Sequence, residues 1–169
     1  MAEMGLGYGS EYQLLRYLGH HRNELNRCIK ENTKLKGDLI WLDFPKDNNR
    51  LSLDGEYVGI NFLKDKMLSH LVTATELIKI QSSWKEFWNT NGYQANWDGV
   101  ILHINENQVE LIIVEAKAHL KELESKTKSD SNYNIQNAFR ATQNYFEISN
   151  SNWFGKYYQL ANRLAFVNF

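Results

Sequence analysis

The chain has 169 residues, 43% hydrophobic and 13% aromatic, and its 19 Lys and Arg against 20 Asp and Glu leave a net charge of −1. This composition predicts a single domain over residues 1–169. The lone cysteine, Cys28, excludes an internal disulfide framework and a cysteine-cluster zinc site. No apolar run approaches the roughly 18 residues of a membrane span, and residues 1–12 lack the blocks of a signal peptide, so the expectation is a cytoplasmic protein with no membrane partner.

Residues 1–9 are glycine-rich and aperiodic. Ser10 stands three residues before Gln13, a capping-box spacing, and Leu14, Leu15, Leu18, Leu25 and Ile29 recur at helical intervals, which predicts one helix over 11–31 with Gly19 as its weak point. Residues 34–59 mix the strand-like Leu39-Ile40-Trp41-Leu42 with turn signals, and read as a peripheral hairpin. From 62 to 88 the pattern is helical again, with Thr73 or Thr75 as a break. Between 97–104 and 109–118 the period falls to two around a polar connection at 105–108, which predicts a β-hairpin. Its second strand, Leu111-Ile112-Ile113-Val114, is apolar on both faces and reads as central in a covered sheet. An exposed loop over 121–131 and helices over 134–148 and 153–165 complete the chain.

Symmetry of the hairpin about Glu106 and Asn107 sets Asp98 opposite Glu115, and directly opposed residues have Cβ atoms roughly 4.5–5.5 Å apart. Two carboxylates then converge, and Lys117 lies on the same face two residues beyond. Facing carboxylates suit a hard divalent cation such as Mg²⁺, with the carbonyl of Ala116 as a further oxygen ligand. A neighbouring lysine orients an attacking water or neutralises charge on a phosphodiester. The chemistry that this predicts is phosphate-ester hydrolysis.

Asp98, the hairpin and Glu115-Ala116-Lys117 together resemble the D…ExK signature of the PD-(D/E)XK nuclease superfamily. The run Val-Glu-Ala-Lys-Ala-His at 114–119, with Tyr-Gln-Leu-Ala-Asn-Arg-Leu at 158–164, is similar to an uncharacterised prokaryotic branch of it. The resemblance covers 60–169, which leaves 1–60 as an N-terminal extension, and implies an α/β fold with a restriction-endonuclease-like core, a central mixed β-sheet flanked by helices. In that core 62–88 is the first helix and 134–148 the helix after the motif. It implies a Mg²⁺-dependent nuclease, with Mn²⁺ as a substitute, acting on DNA in restriction or defence, and a homodimer as one form of assembly. Asp98 and Glu115 are then the metal ligands and Lys117 positions the water. The glutamate that many members carry on the first core helix corresponds to Glu76, with Glu86 second, and the polar residue of a later helix is Gln143 or Gln159. The alternative is a catalytically inactive module of the same fold that binds nucleic acid or assembles with proteins. Asn96 and Trp97 replace the superfamily's proline. For the fourth strand there are two options: residues 165–169 supply it, or the core is shorter.

Other signals are weaker. His20, His21 and Glu24 share a helix face without a metal-binding order of ligands. His103 and His119 flank the motif. Trp84, Trp88 and Trp97 suit base stacking, although core packing is the usual fate of tryptophans at helical spacing. Lys121, Lys126 and Lys128 follow the motif among acidic neighbours.

Overall fold

The computed structural model describes residues 9–42, 57–88, 94–106, 108–124, 132–148 and 152–169. The chain divides into two units, one of Met1–Tyr57 with Asn96–Ala118, the other of Val58–Ala95 with His119–Phe169. Their content is mixed α and β, with five α-helices and a small antiparallel sheet among the described residues. No helix among these residues is long and apolar enough to cross a membrane.

In the first unit the N-terminal helical pattern is split in two. Helix α1 is Ser10–His20 and α2 is Arg22–Thr33, with His21 between them at φ −132°, ψ 32°. Ser10 is the first residue of α1 rather than its cap; Gly9 holds the cap position without a side-chain bond. Strand β1, Asp38–Trp41, follows. Among the described residues β1 pairs antiparallel with β4, Gly99–Asn105, a distant segment rather than a local one, while β2, Tyr57–Val58, pairs with β3, Asn96–Trp97. The residues between, 43–56, lie outside those described.

β4 pairs antiparallel with β5, Gln108–Val114, giving the order β1-β4-β5. The central strand is therefore β4, whose first five residues are buried, and β5 is an edge strand with exposed Val109 and Leu111. Continuous apolar character marks a buried strand only where a neighbour on each side covers it. The three-stranded pairing is antiparallel throughout rather than mixed, and one of its strands comes from the N-terminal extension. Leu18 of α1 meets Leu39, Trp41 and Ile101 in the core of this unit, with Leu25 and Ile29 of α2 packed against them.

Gly37 is what lets the chain turn into β1. It sits at φ 101°, and a Cβ there would come within 2.1 Å of the Ile104 carbonyl oxygen, so only glycine fits. The same stretch carries a buried histidine. His103, 3% exposed, has Nε2 2.6 Å from the Lys36 carbonyl and Nδ1 2.9 Å from Glu110 Oε2. A carbonyl only accepts, so Nε2 carries a proton, and the carboxylate calls for a second at Nδ1. The Lys36 hydrogen bond first, and the Glu110 bond second, raise the pKa of the ring above its ordinary value.

The second unit opens with short 3₁₀ turns at Asn61–Lys64 and Lys66–Leu68, and α3 begins only at Ala74, ending at Phe87. Thr73 caps it, so the break falls where a β-region threonine stops the helix from extending backwards. Helix α4, Tyr133–Tyr145, is capped by Asn132, and α5 is Tyr158–Asn168. Residues 165–169 are thus the end of a helix and not a fourth strand. The core here is aromatic: the Trp84 ring lies 6.1 Å from Trp88, 5.1 Å from Phe166 and 5.0 Å from Phe169, and Phe139 lies 5.4 Å from Trp153.

Candidate active site

The β4–β5 register runs from Asn105↔Gln108 to Gly99↔Val114, as symmetry about the turn predicts. Beyond Gly99 it slips by one residue. The Asp98 N–H donates to the Val114 carbonyl at 3.0 Å, and the Ala116 amide donates to Asp98 Oδ2 at 2.6 Å. A slip of this kind at a strand end re-aims a side chain, and here it turns the Asp98 carboxylate onto the backbone between Glu115 and Lys117. Asp98 is tied to the Glu115–Lys117 segment by a side-chain-to-backbone bond to Ala116 rather than by the simple ladder pairing with Glu115 expected of it. β5 itself ends at Val114, before the ExK residues.

Lys117 Nζ is 2.5 Å from Glu115 Oε1. Asp98 is 8% exposed, and the Glu115 and Lys117 side chains are 19% and 22% exposed. Asp98 is thus tied to the backbone beside the Glu115–Lys117 ion pair. Among the described residues no group of three His, Cys, Asp or Glu side chains is arranged to hold a metal. The donor set fits Mg²⁺, which is commonly held by one or two carboxylates and keeps several waters. Asp98 and Glu115 would hold it, with the Ala116 carbonyl the nearest backbone oxygen in sequence.

The strand that presents Asp98 is fixed from below. A Cβ at position 99 would lie 2.8 Å from Trp41 Cζ3, so Gly99 lets the indole close against the chain next to Asp98. Trp41 Nε1 donates to Asn26 Oδ1 at 2.7 Å, and Asn26 Nδ2 donates to the Leu39 carbonyl at 3.2 Å. A helix, a strand and an indole thus lock one another beneath the site.

Glu76 belongs to the other unit. Because α3 starts at Ala74, Glu76 is its third residue rather than its middle one, and its carboxylate completes a capping box. Oε2 accepts from Thr73 Oγ1 at 2.6 Å and from the Thr73 N–H at 2.9 Å, and the Glu76 amide donates back to Thr73 Oγ1 at 3.3 Å. The Thr73 hydroxyl bond first, then the backbone bond, hold this exposed carboxyl below its usual range. Glu86 is exposed on α3, Gln143 lines a cavity on α4, and Gln159 is half-buried on α5.

The remaining candidates resolve locally. Trp84, Trp88 and Trp97 are all buried core residues. Glu24 is paired with Arg27 at 2.5 Å, and the exposed His119 has Nε2 3.4 Å from Glu122 Oε1. Lys121 is exposed, while Lys126 and Lys128 lie outside the described residues. Two arrangements were not anticipated from sequence: the Ala116 amide on Asp98, and the face formed by Gln136, Arg140 and Gln143. The spacing of four and three along α4 is the signal that would have found the second. Compared with family models, curated proteins and solved structures, the chain matches none.

Proposed function

We propose that this protein is a divalent-metal-dependent nuclease of PD-(D/E)XK type that hydrolyses phosphodiester bonds of nucleic acid, with DNA as the substrate. The observation that supports this most is the Asp98 carboxylate held on the Ala116 amide, between a glutamate and a lysine that are themselves in contact. In this reading Asp98 and Glu115 bind the cation, with the Ala116 carbonyl as a further ligand. Mg²⁺ or Mn²⁺ bound there supplies Lewis acidity and an acidified water. Lys117 orients the attacking water through its ammonium hydrogens and offsets negative charge on the phosphate as the P–O bond breaks. The Asp98–Ala116 bond keeps the carboxylate in one orientation, which limits reorganisation during the reaction. A role in restriction or defence, a cytoplasmic setting and assembly as a homodimer belong to the same proposal.

One observation favours a second reading, an inactive module of this fold that binds nucleic acid or protein. The Lys117 ammonium is engaged by Glu115, and a third acidic or histidine ligand is absent among the described residues. The test is cleavage of supercoiled, linear and single-stranded DNA and of RNA with Mg²⁺ or Mn²⁺, by wild type, Asp98→Ala and Lys117→Ala. Metal-dependent cutting lost in both folded variants supports the nuclease. A wild type that neither cuts nor binds divalent metal in calorimetry supports the inactive module.

A further inference from the structure

The second unit contains a cavity of about 370 Å³ between α4 and the segment that precedes α5. That volume falls in the size class of small-molecule pockets, roughly 300–1,000 Å³. It is built within this unit and shares no residue with the carboxylate pair.

Its lining has three chemical parts. Phe139 and Trp153 form the buried floor, and the half-buried Phe154 brings a third ring, 5.0 Å from Phe139. Gln136 and Gln143 from α4 and Asn152 from the opposite segment supply carboxamides. Asn152 Oδ1 accepts the Phe154 N–H at 3.0 Å, which commits the oxygen and leaves Nδ2 as the group that donates. Arg140, one turn from Gln136 on the same face of α4, is exposed and has no ion-pair partner among the described residues.

Each part narrows the ligand. The half-buried Phe154, backed by the buried Phe139 and Trp153, offers apolar surface on which a planar ring stacks, with little regard to which base it is. Carboxamides both donate and accept, which matches the mixed edges of a nucleobase better than the single-sign edge of a simple acid. A guanidinium beside them matches a phosphate, to which it gives two parallel hydrogen bonds. From this juxtaposition we propose that the cavity is a nucleotide-binding site: the base sits among the rings and carboxamides, and the phosphate lies on Arg140. The ligand is either a free mononucleotide or one nucleotide unit of a single strand, which share this chemistry.

The test uses the full chain in EDTA, so that it is independent of any metal-dependent cleavage. AMP, GMP, CMP, UMP, adenosine, inorganic phosphate and a short single-stranded oligonucleotide are titrated by calorimetry. Wild type, Arg140→Gln and Gln143→Ala are compared, with thermal unfolding to verify that each is folded. The expected result is nucleotide binding that weakens about tenfold in Arg140→Gln and falls in Gln143→Ala. Adenosine retains the Gln143 sensitivity and is indifferent to Arg140. Oligonucleotide affinity well above that of every mononucleotide assigns the site to a strand, and equal affinity assigns it to the free nucleotide. The proposal is overturned if nothing binds, if binding is unchanged in both variants, or if inorganic phosphate binds as tightly as the nucleotides.

Discussion

The two units are held together by different physics. In the first, directional bonds dominate: Asn26 fixes Trp41, Lys36 and Glu110 fix His103, and the Ala116 amide fixes Asp98. In the second, the core is ring against ring around Trp84 and Phe139, with helix caps at Thr73 and Asn132 and single bonds from Trp84 Nε1 to Gln94 Oε1 at 2.8 Å and from Asn168 Nδ2 to Thr142 Oγ1 at 3.2 Å. Hydrogen bonds set orientation to within tenths of an ångström, whereas aromatic packing supplies most of its free energy without a fixed direction. In the first unit the Trp41 indole, the His103 ring and the Asp98 carboxylate are each individually aimed.

Substitutions can break that contrast, and the largest effect concerns activity. Asp98→Ala should lower cleavage by about 100-fold or more at a cost of about 1–3 kcal/mol in stability from the Ala116 amide left without its acceptor, as checked by a plasmid-nicking assay and calorimetry. Trp84→Ala should do the reverse in kind, with a loss of about 3–5 kcal/mol in denaturant unfolding. Gly99→Ala sharpens the comparison, because its Cβ would push on Trp41 beside the site. It should cost about 1–3 kcal/mol and reduce cleavage together, and a cost in stability with cleavage untouched would separate Trp41 from the positioning of Asp98.

How much of this was legible in sequence follows the same division. The hairpin register was readable because a period of two and a short polar turn allow few alternatives, and it led to Asp98 and Glu115. The slip at Asp98 was not readable, since it depends on where β5 stops and which amide is left to donate. The break in the N-terminal helix was marked by Gly19 but fell at His21. The pairing of β1 with β4 was hidden because it joins segments far apart in the chain, and local propensity carries no information about such partners. Burial of Trp84 and Trp88 was legible from helical spacing alone. The position of Glu76 along α3 differs from the mid-helix one expected because the helix starts later than its apolar pattern suggests, and a capping glutamate and a mid-helix glutamate differ only by that boundary.

A smaller effect lies in pH. The folded pKa of His103 is raised above the unfolded value of about 6.5, so its contribution to stability is complete below that pH and is lost as pH rises through the folded value. Unfolding free energy measured from pH 5.5 upward should fall accordingly, and His103→Gln should flatten that fall at a cost of about 1–3 kcal/mol. The smallest effect is at the cap: Thr73→Ala should cost about 1 kcal/mol in thermal unfolding. Glu76→Gln tests the same box against catalysis, and cleavage within twofold of wild type, about the scatter of such assays, is expected if the carboxylate serves the cap.

The interleaving of the two units has a consequence for synthesis. Val58–Ala95 is inserted between the two segments of the first unit, and β1 finds its partners only at the far side of that insertion, with Asp38 opposite Ile104. A ribosome adding about 5–20 residues per second therefore releases Leu39 and Trp41 seconds before β4 exists to cover them. Closing so long a loop before any contact rewards it is also slow in refolding. The bond between Asp98 and Ala116 can form only after β5 has emerged, so this pair assembles only once β1 and the whole of Val58–Ala95 have left the ribosome.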